Sequence, residues 1–358
     1  MRRLPIFFVL DVSDSMIGEP HNLLEKGLDA LITTLRQDPH ALETAHISVI
    51  AFAGRVKTLV PLIDVVTFYP PKLPIGSGTA IGLALDHIMT EIDKHVVSST
   101  PDRKGDWKPV VFLMTDGKPT DGVEASAKRW KEKYAIKASI IAIGLGPYAD
   151  TTTLSSFADE VLQYNGTSEE HFSKLIRWMS ASVSSMSVAA STQSDKLPIS
   201  LEKADGVLAP AGTTVNVDED VAVILGRCQN NGKPYLIKYE RMRDLTELPS
   251  GLEFSIPQQQ QEQRHYKGVG IYSIDDSYFE WSDIQEGVQG KQVDMNDLIG
   301  GMSCPQCGNA YSMAICGCGG IFCVNGPGVQ QCPHCKQQVN MQVADGDSPP
   351  LSINRSSG

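Results

Sequence analysis

The chain has 358 residues, room for about two domains of ordinary size. Hydrophobic residues make up 41% and charged residues 20%, which excludes wholesale disorder. Lys plus Arg total 31 against 42 for Asp plus Glu; the net charge of −11 argues against chain-wide phosphate binding and suits a soluble cytosolic protein.

From the N-terminus, Arg2 and Arg3 precede the apolar run Ile6–Leu10. That run stops at Asp11 with no small-residue cleavage site after it, so a buried first strand is expected and no export signal. No apolar run reaches the roughly 18 residues that would span a bilayer. Leu23, Leu24, Leu28, Leu31, Ile32 and Leu35 recur at helical spacing between Pro20 and Leu35. Ile47–Phe52 reads as a second strand, paired with Val56–Leu62 through Ala53-Gly54-Arg55. Thr79 opens a helix with Ile81, Leu85, Ile88, Met89 and Ile92 inward. Val110–Met114 and Ser139–Leu145 are all-apolar strands around a helix at Val123–Tyr134. Val161–Tyr164 is a short last strand, and Glu169–Ser182 is a closing helix. This alternation predicts an α/β fold with a doubly wound, mostly parallel sheet covered on both faces.

Ser180–Asp195, rich in Ser, Ala and Thr, is expected to end the first domain, placed at residues 1–190. From there the period falls to two. Val221–Leu225, Tyr235–Arg241 and Tyr266–Ile274 predict a β-rich region over 195–300, with the glutamine run Gln258–Gln261 as a solvated loop. A cysteine-rich module follows at 300–340, and 344–358 reads as a flexible tail.

The first candidate site lies where the first strand ends in Asp11-Val12-Ser13-Asp14-Ser15. Asp11, Ser13 and Ser15 alternate, so a turning chain can aim all three at one spot, while Asp14 points away as a solvated turn residue. Gly76-Ser77-Gly78-Thr79 and Thr115-Asp116-Gly117 leave the same sheet edge, where doubly wound folds bind ligands. Two carboxylates (Asp11, Asp116) and three hydroxyls (Ser13, Ser15, Thr79) form a hard oxygen set suited to octahedral Mg²⁺ or Mn²⁺.

The second candidate site is a pair of Cys-Pro-x-Cys turns, Cys304/Cys307 and Cys332/Cys335. Crowding of seven of the eight cysteines into one short segment favours metal over disulfides, and two such knuckles predict one structural Cys₄ zinc. Tyr311–Ile315 and Ile321–Val324 would form the hairpin between them, a zinc-ribbon-like module. Cys316, Cys318 and Cys323 are open among packed thiols, alternative ligands and members of a second zinc set that His334 could join. Cys228 reads as a buried small hydrophobe. Ser303–Val339 carries one Lys and no Arg, so the module is expected to bind protein, not nucleic acid.

Asp-x-Ser-x-Ser, Gly-Ser-Gly-Thr and Thr-Asp-Gly, in this order, resemble the metal-ion-dependent adhesion site of von Willebrand factor A domains, whose fold is Rossmann-like. The resemblance covers about residues 1–185. It implies that Ser13 and Ser15 bind the ion directly, Thr79 directly or through water, and Asp11 and Asp116 largely through water. A partner's carboxylate would take the remaining position. The start Arg-Arg-Leu-Pro-Ile-Phe-Phe-Val-Leu-Asp-Val-Ser-Asp-Ser-Met and the segment Met-Thr-Asp-Gly-x-Pro-Thr-Asp are similar to bacterial von Willebrand A proteins of the TerY type in their longer, zinc-binding form. That resemblance implies a cytoplasmic adaptor in tellurite and stress resistance, with a protein kinase and a metal-dependent protein phosphatase as partners and no membrane or nucleic acid. Catalysis is not expected. Haloacid-dehalogenase-like phosphatases need a second Asp where this chain has Ser13, and the histidines at 21, 40, 46, 87, 95 and 171 share no edge. The alternatives are a phosphatase or hydrolase using the same ion, or nucleic-acid binding through the ribbon.

Overall fold

The computed structural model describes residues 2–146, 149–164, 166, 169–192, 208–210, 220–242, 265–283, 291–342 and 351–355. The chain forms two compact units, one of Met1–Val217 with Trp281–Asp283, the other of Asp218–Glu280 with Ile284–Gly358. Among the described residues no helix is long and apolar enough to cross a membrane.

The first unit runs β1 (Leu4–Asp11), α1 (Glu19–Gln37), α2 (Pro39–Thr44), β2 (Ala45–Phe52), β3 (Val56–Asp64), α3 (Ile81–His95), β4 (Val110–Thr115), α4 (Glu124–Lys133), β5 (Ser139–Leu145), α5 (Thr151–Ser155), β6 (Glu160–Tyr164), α6 (Glu169–Thr192) and β7 (Leu208–Pro210). The sheet order is β3-β2-β1-β4-β5-β6-β7. The five central strands are parallel, and β3 and β7 lie antiparallel at the two margins.

Buried on both faces, β1 is apolar at every position from Leu4 to Leu10, as a covered parallel strand requires. Its alternate residues sort to opposite sides. Ile6, Phe8 and Leu10 join a core with Leu28, Leu31, Leu175 and Trp178 of α1 and α6. Phe7 and Val9 join another with Ile81, Leu85, Ile88 and Trp130 of α3 and α4. Phe8 stacks on Phe112 at 5.6 Å between ring centroids, and Trp178 meets Phe112 edge-on. Each such ring stabilises the unit by about 2 kcal/mol through burial. Strand order reverses at β1, with β2 on one side and β4 on the other, so the loops after Asp11 and after Thr115 leave side by side.

Several expectations need correction. The closing helix does not stop at Ser182 but continues to Thr192, because the Ser/Ala/Thr stretch holds Val183 and Met186 at core positions. The short helices α2 and α5 were absent from the periodic reading; each is begun by an aspartate, Asp38 and Asp150, whose side chain caps backbone N–H groups.

The second unit runs β8 (Val221–Arg227), β9 (Pro234–Arg241), β10 (Tyr266–Ser273), α7 (Ser277–Trp281, whose last residue belongs to the first unit), β11 (Gln292–Asp294), β12 (Leu298–Ile299), β13 (Tyr311–Ile315), β14 (Ile321–Val324), β15 (Gly328–Gln331), β16 (Gln338–Met341) and β17 (Ser352–Asn354). The β-rich region and the cysteine module are not separate bodies: one six-stranded sheet, β12-β10-β9-β8-β14-β13, contains strands of both. Nor are all residues of 344–358 a tail. Strand β17 pairs antiparallel with β11, and Ile353 is buried opposite Val293. The glutamine run Gln258–Gln261 lies outside the described residues.

Candidate functional site: an oxygen cage and two thiol clusters

At the reversal of strand order, the chain leaves β1 through a single 3₁₀ turn at Asp14–Met16. That turn folds Asp11, Ser13 and Ser15 over one point. The Asp11 carboxylate accepts from the Ser13 N–H at 2.9 Å through Oδ1 and from the Thr115 hydroxyl at 2.5 Å through Oδ2. Ser15 donates to Asp116 Oδ1 at 2.9 Å, so its oxygen accepts from Ser13 at 2.9 Å. Four of the five residues expected to gather here thus form one bonded chain. Asp14 is not a solvated residue: it is fully buried in the turn.

Thr79 comes from the loop before α3. An isolated parallel bridge between Ser13 and Gly76 holds that loop, with the Gly76 N–H donating to Val12 O at 3.0 Å. Thr79 and Thr120 clasp each other: the Thr79 N–H donates to Thr120 Oγ1 at 2.9 Å, and the Thr120 N–H to Thr79 O at 3.0 Å. Asp121 then accepts from the N–H groups of Gly82 and Leu83 at 3.0 and 2.9 Å, capping α3, whose own preceding residue Ala80 provides no side-chain cap. These two positioning residues were missed as site residues, although they end the Met-Thr-Asp-Gly-x-Pro-Thr-Asp segment.

The Thr79 hydroxyl itself is fully buried and makes no hydrogen bond among the described residues. It sits against the Asp116 loop, since a methyl placed on Gly117 would come within 3.1 Å of Thr79 Oγ1. Burial, followed by the charge of Asp116, pushes the Asp11 carboxyl up to about 7 against the hydrogen bonds from Thr115 and Ser13. An orphaned hydroxyl beside two crowded carboxylates in an all-oxygen set fits a hard cation.

The cysteines do not gather as the sequence suggested. Cys304 and Cys307 join Cys228 and Cys323, whereas Cys332 and Cys335 join Cys316 and Cys318; within each set the sulfurs lie within 4.8 Å of one another. The reason is strand pairing. β14 lies beside β8, with Phe322 opposite Arg227, which brings Cys323 to the turn at Cys228. Alternation along β14 then turns Cys323 into one core, while Phe322 and Val324 face the other, with Cys316 and Cys332. Cys228 is therefore a member of a thiol cluster, not simply a small apolar filler.

Each cluster is built on tight turns. The Gly232 N–H donates to Cys228 O and the Gly308 N–H to Cys304 O, both at 2.9 Å, while those of Gly319 and Lys336 donate to Cys316 O and Cys332 O at 2.8 and 3.0 Å. The sulfurs of Cys307 and Cys323 are 3.6 Å apart, those of Cys316 and Cys335 3.6 Å, and those of Cys318 and Cys332 3.8 Å. A tetrahedron with metal–sulfur bonds of about 2.3 Å has edges of about 3.8 Å. The spacing fits two Cys₄ metal sites and is too long for disulfides. The Gln229 N–H and Asn309 Nδ2 both point at Cys323 Sγ, at 3.3 and 3.5 Å, as outer donors to a thiolate. His334 belongs to neither set, its Nε2 lying 3.0 Å from Ile321 O.

Fold and oxygen cage together define a von Willebrand factor type A domain, and that family matches residues 6–179. The TerY-C metal binding domain matches residues 218–358, so the chain joins a von Willebrand factor type A domain to a TerY-C metal binding domain. No curated protein matches the chain. Among solved structures, proximal thread matrix protein 1 of the mussel byssus, solved with a zinc-occupied MIDAS motif, is 24% identical over 51% of this chain and 48% of its own (TM-score 0.36). A von Willebrand factor type A protein of Catenulispora acidiphila is 17% identical over 51% of this chain and 43% of its own (TM-score 0.40). BatB of Bacteroides thetaiotaomicron is 16% identical over 53% of this chain and 100% of its own (TM-score 0.36). The match spans about half the length of the mussel protein.

Proposed function

We propose that the protein is a non-enzymatic adaptor that captures partner proteins through a divalent ion, Mg²⁺ or Mn²⁺, held by Asp11, Ser13, Ser15, Thr79 and Asp116. The observation that carries this reading is the buried Thr79 hydroxyl, which finds no hydrogen-bond partner among the described residues and lies beside the Asp116 loop. Such an ion, when bound, supplies a Lewis-acidic position that an Asp or Glu carboxylate of another protein can fill. Around it, Ser13 and Ser15 present neutral oxygens, while the Thr115 hydroxyl and the Ser13 N–H orient Asp11. With the Asp11 and Asp116 carboxylates acting largely through water, neutral direct ligands leave the ion itself attractive to an incoming anion.

The thiol clusters, in this reading, hold two structural zinc ions. Four thiolates at each leave no open position, so their role is to fasten the β-rich unit. The partners we assign are a protein kinase and a metal-dependent protein phosphatase of a cytoplasmic stress response linked to tellurite, on the family resemblance alone.

The test is capture from the native host's lysate on immobilised full-length protein, in Mg²⁺ and in EDTA, with Ser13→Ala alongside. Recovery of a kinase or phosphatase in Mg²⁺, lost both in EDTA and with Ser13→Ala, is the expected result. Equal recovery in all three overturns the reading.

A further inference from the structure

Three residues far along the chain complete the loop that presents Thr79. Trp281, Ser282 and Asp283 belong to the first unit, although they lie within the TerY-C match. The Ser77 N–H donates to Ser282 Oγ at 2.8 Å, and the Arg55 N–H donates to Trp281 O at 3.1 Å. Ser77 O in turn accepts from Gly54 N–H at 2.9 Å and from Asp283 N–H at 3.4 Å. Trp281 is buried, and the Lys57 ammonium lies 5.0 Å above its ring.

Two glycines record how closely this segment approaches. A Cβ on Gly76 would stand 2.5 Å from Trp281 Cβ, and a Cβ on Gly54 would stand 2.2 Å from Asp283 N. Gly76 is also the residue that bridges to Ser13, and Ser77 lies two positions before Thr79. One face of the Gly76–Thr79 loop is thus bonded to Ser13 and Val12, and the other rests on Trp281 and Ser282.

We infer that Trp281 and Ser282 are positioning residues for the ion site, fixing the loop that aims Thr79 Oγ1. This inference rests on the reading of the cage as a cation site. It makes that site dependent on chain beyond the von Willebrand match: a fragment ending before residue 281 has every oxygen ligand and lacks the support of one of them.

The test titrates zinc-loaded, full-length protein with Mn²⁺ and follows the free and bound ion by electron paramagnetic resonance. Wild type is expected to bind one Mn²⁺ that Ser13→Ala abolishes. Ser282→Ala retains all five oxygen ligands, yet should weaken Mn²⁺ binding about 5-fold, the worth of one hydrogen bond of about 1 kcal/mol. It should also change the zero-field splitting of the bound ion, which reports ligand geometry and not stability. Gly76→Ala, which pushes Trp281 away, should do the same at least as strongly. Wild-type affinity and spectrum in both variants overturn the inference, as does a lowered unfolding midpoint with neither changed. If wild type and Ser13→Ala bind Mn²⁺ alike, the cation-site reading fails first and this inference with it.

Discussion

Ser15 donates its hydroxyl hydrogen to Asp116 over 2.9 Å, joining two loops about a hundred residues apart in the chain. Bonded in this way, the β1 and β4 loops hold the carboxylates of Asp11 and Asp116 close enough to repel each other. Thr79, the fifth member, is differently placed, because its hydroxyl bonds to nothing among the described residues.

That difference makes Thr79→Ala diagnostic. In Mg²⁺-free protein the substitution removes an unsatisfied buried hydroxyl, whose burial costs about 1–3 kcal/mol, so stability should hold or rise slightly. In Mg²⁺ the ranking should reverse. Wild type gains stability by mass action and the variant does not. Thermal unfolding of both zinc-loaded proteins with and without added Mg²⁺ checks this; a Mg²⁺-dependent rise in the variant equal to wild type contradicts it.

Asp121→Ala leaves the five oxygen ligands in place and removes the acceptor for two N–H groups at the start of α3. A lost cap of this kind costs about 1–2 kcal/mol. Since α3 follows Thr79 directly, the variant should lose stability and Mg²⁺ affinity together, read by denaturant unfolding and calorimetric titration. Loss of stability alone would separate the cap from the site.

The cysteine pairing makes a stoichiometric prediction. Cys228→Ser and Cys335→Ser each damage a different cluster, so each should lower bound zinc from two per chain to about one. The double substitution should bring it near zero. Elemental analysis after dialysis measures this directly. Under a single Cys304/Cys307/Cys332/Cys335 site, Cys228→Ser would change nothing.

A fourth prediction concerns acid. Arg3 donates to both oxygens of Asp106, at 2.9 and 2.6 Å, and the Val97 N–H donates to the same carboxylate at 2.8 Å. Burial pushes the Asp106 carboxyl up, but the Arg3 and Val97 hydrogen bonds and the Arg3 charge outweigh it and hold it below the usual carboxylate range. A depressed folded value means that the stabilisation is complete above the unfolded-state value of about 3.9 and is lost as pH falls through the folded one. Asp106→Asn should therefore cost about 2 kcal/mol at neutral pH, and the gap from wild type should narrow in acid. Denaturant unfolding at pH 7 and at a pH near 3 tests the sign; a gap that widens in acid refutes it.

The oxygen cage could be read from the chain because most of its geometry is local. Asp11, Ser13 and Ser15 are alternate residues of one turn, and the two other loops follow apolar runs or precede a helix whose periodicity is plain. The thiol clusters could not be read in this way. Cys304 and Cys307 form a knuckle as expected, but which knuckle completes which tetrahedron depends on β14 lying beside β8, a pairing of strands almost a hundred residues apart. Nothing local in Ile321–Val324 specifies that neighbour. The same holds for Trp281–Asp283, whose place against Gly54 and Gly76 has no periodic signal. Asp14 failed for a smaller reason: alternation describes an extended chain, and the chain there is a 3₁₀ turn, where the outward residue of a strand becomes an inward one.

The two marginal strands of the seven-stranded sheet each carry a proline, Pro61 exposed within β3 and Pro210 ending β7. Proline brings no N–H to a ladder, and β7 is only three residues long. Neither border invites a strand from another molecule, so growth of the sheet from chain to chain is discouraged at both sides. Partner capture at the proposed ion site would then proceed without the flanks of the sheet recruiting copies of the same chain.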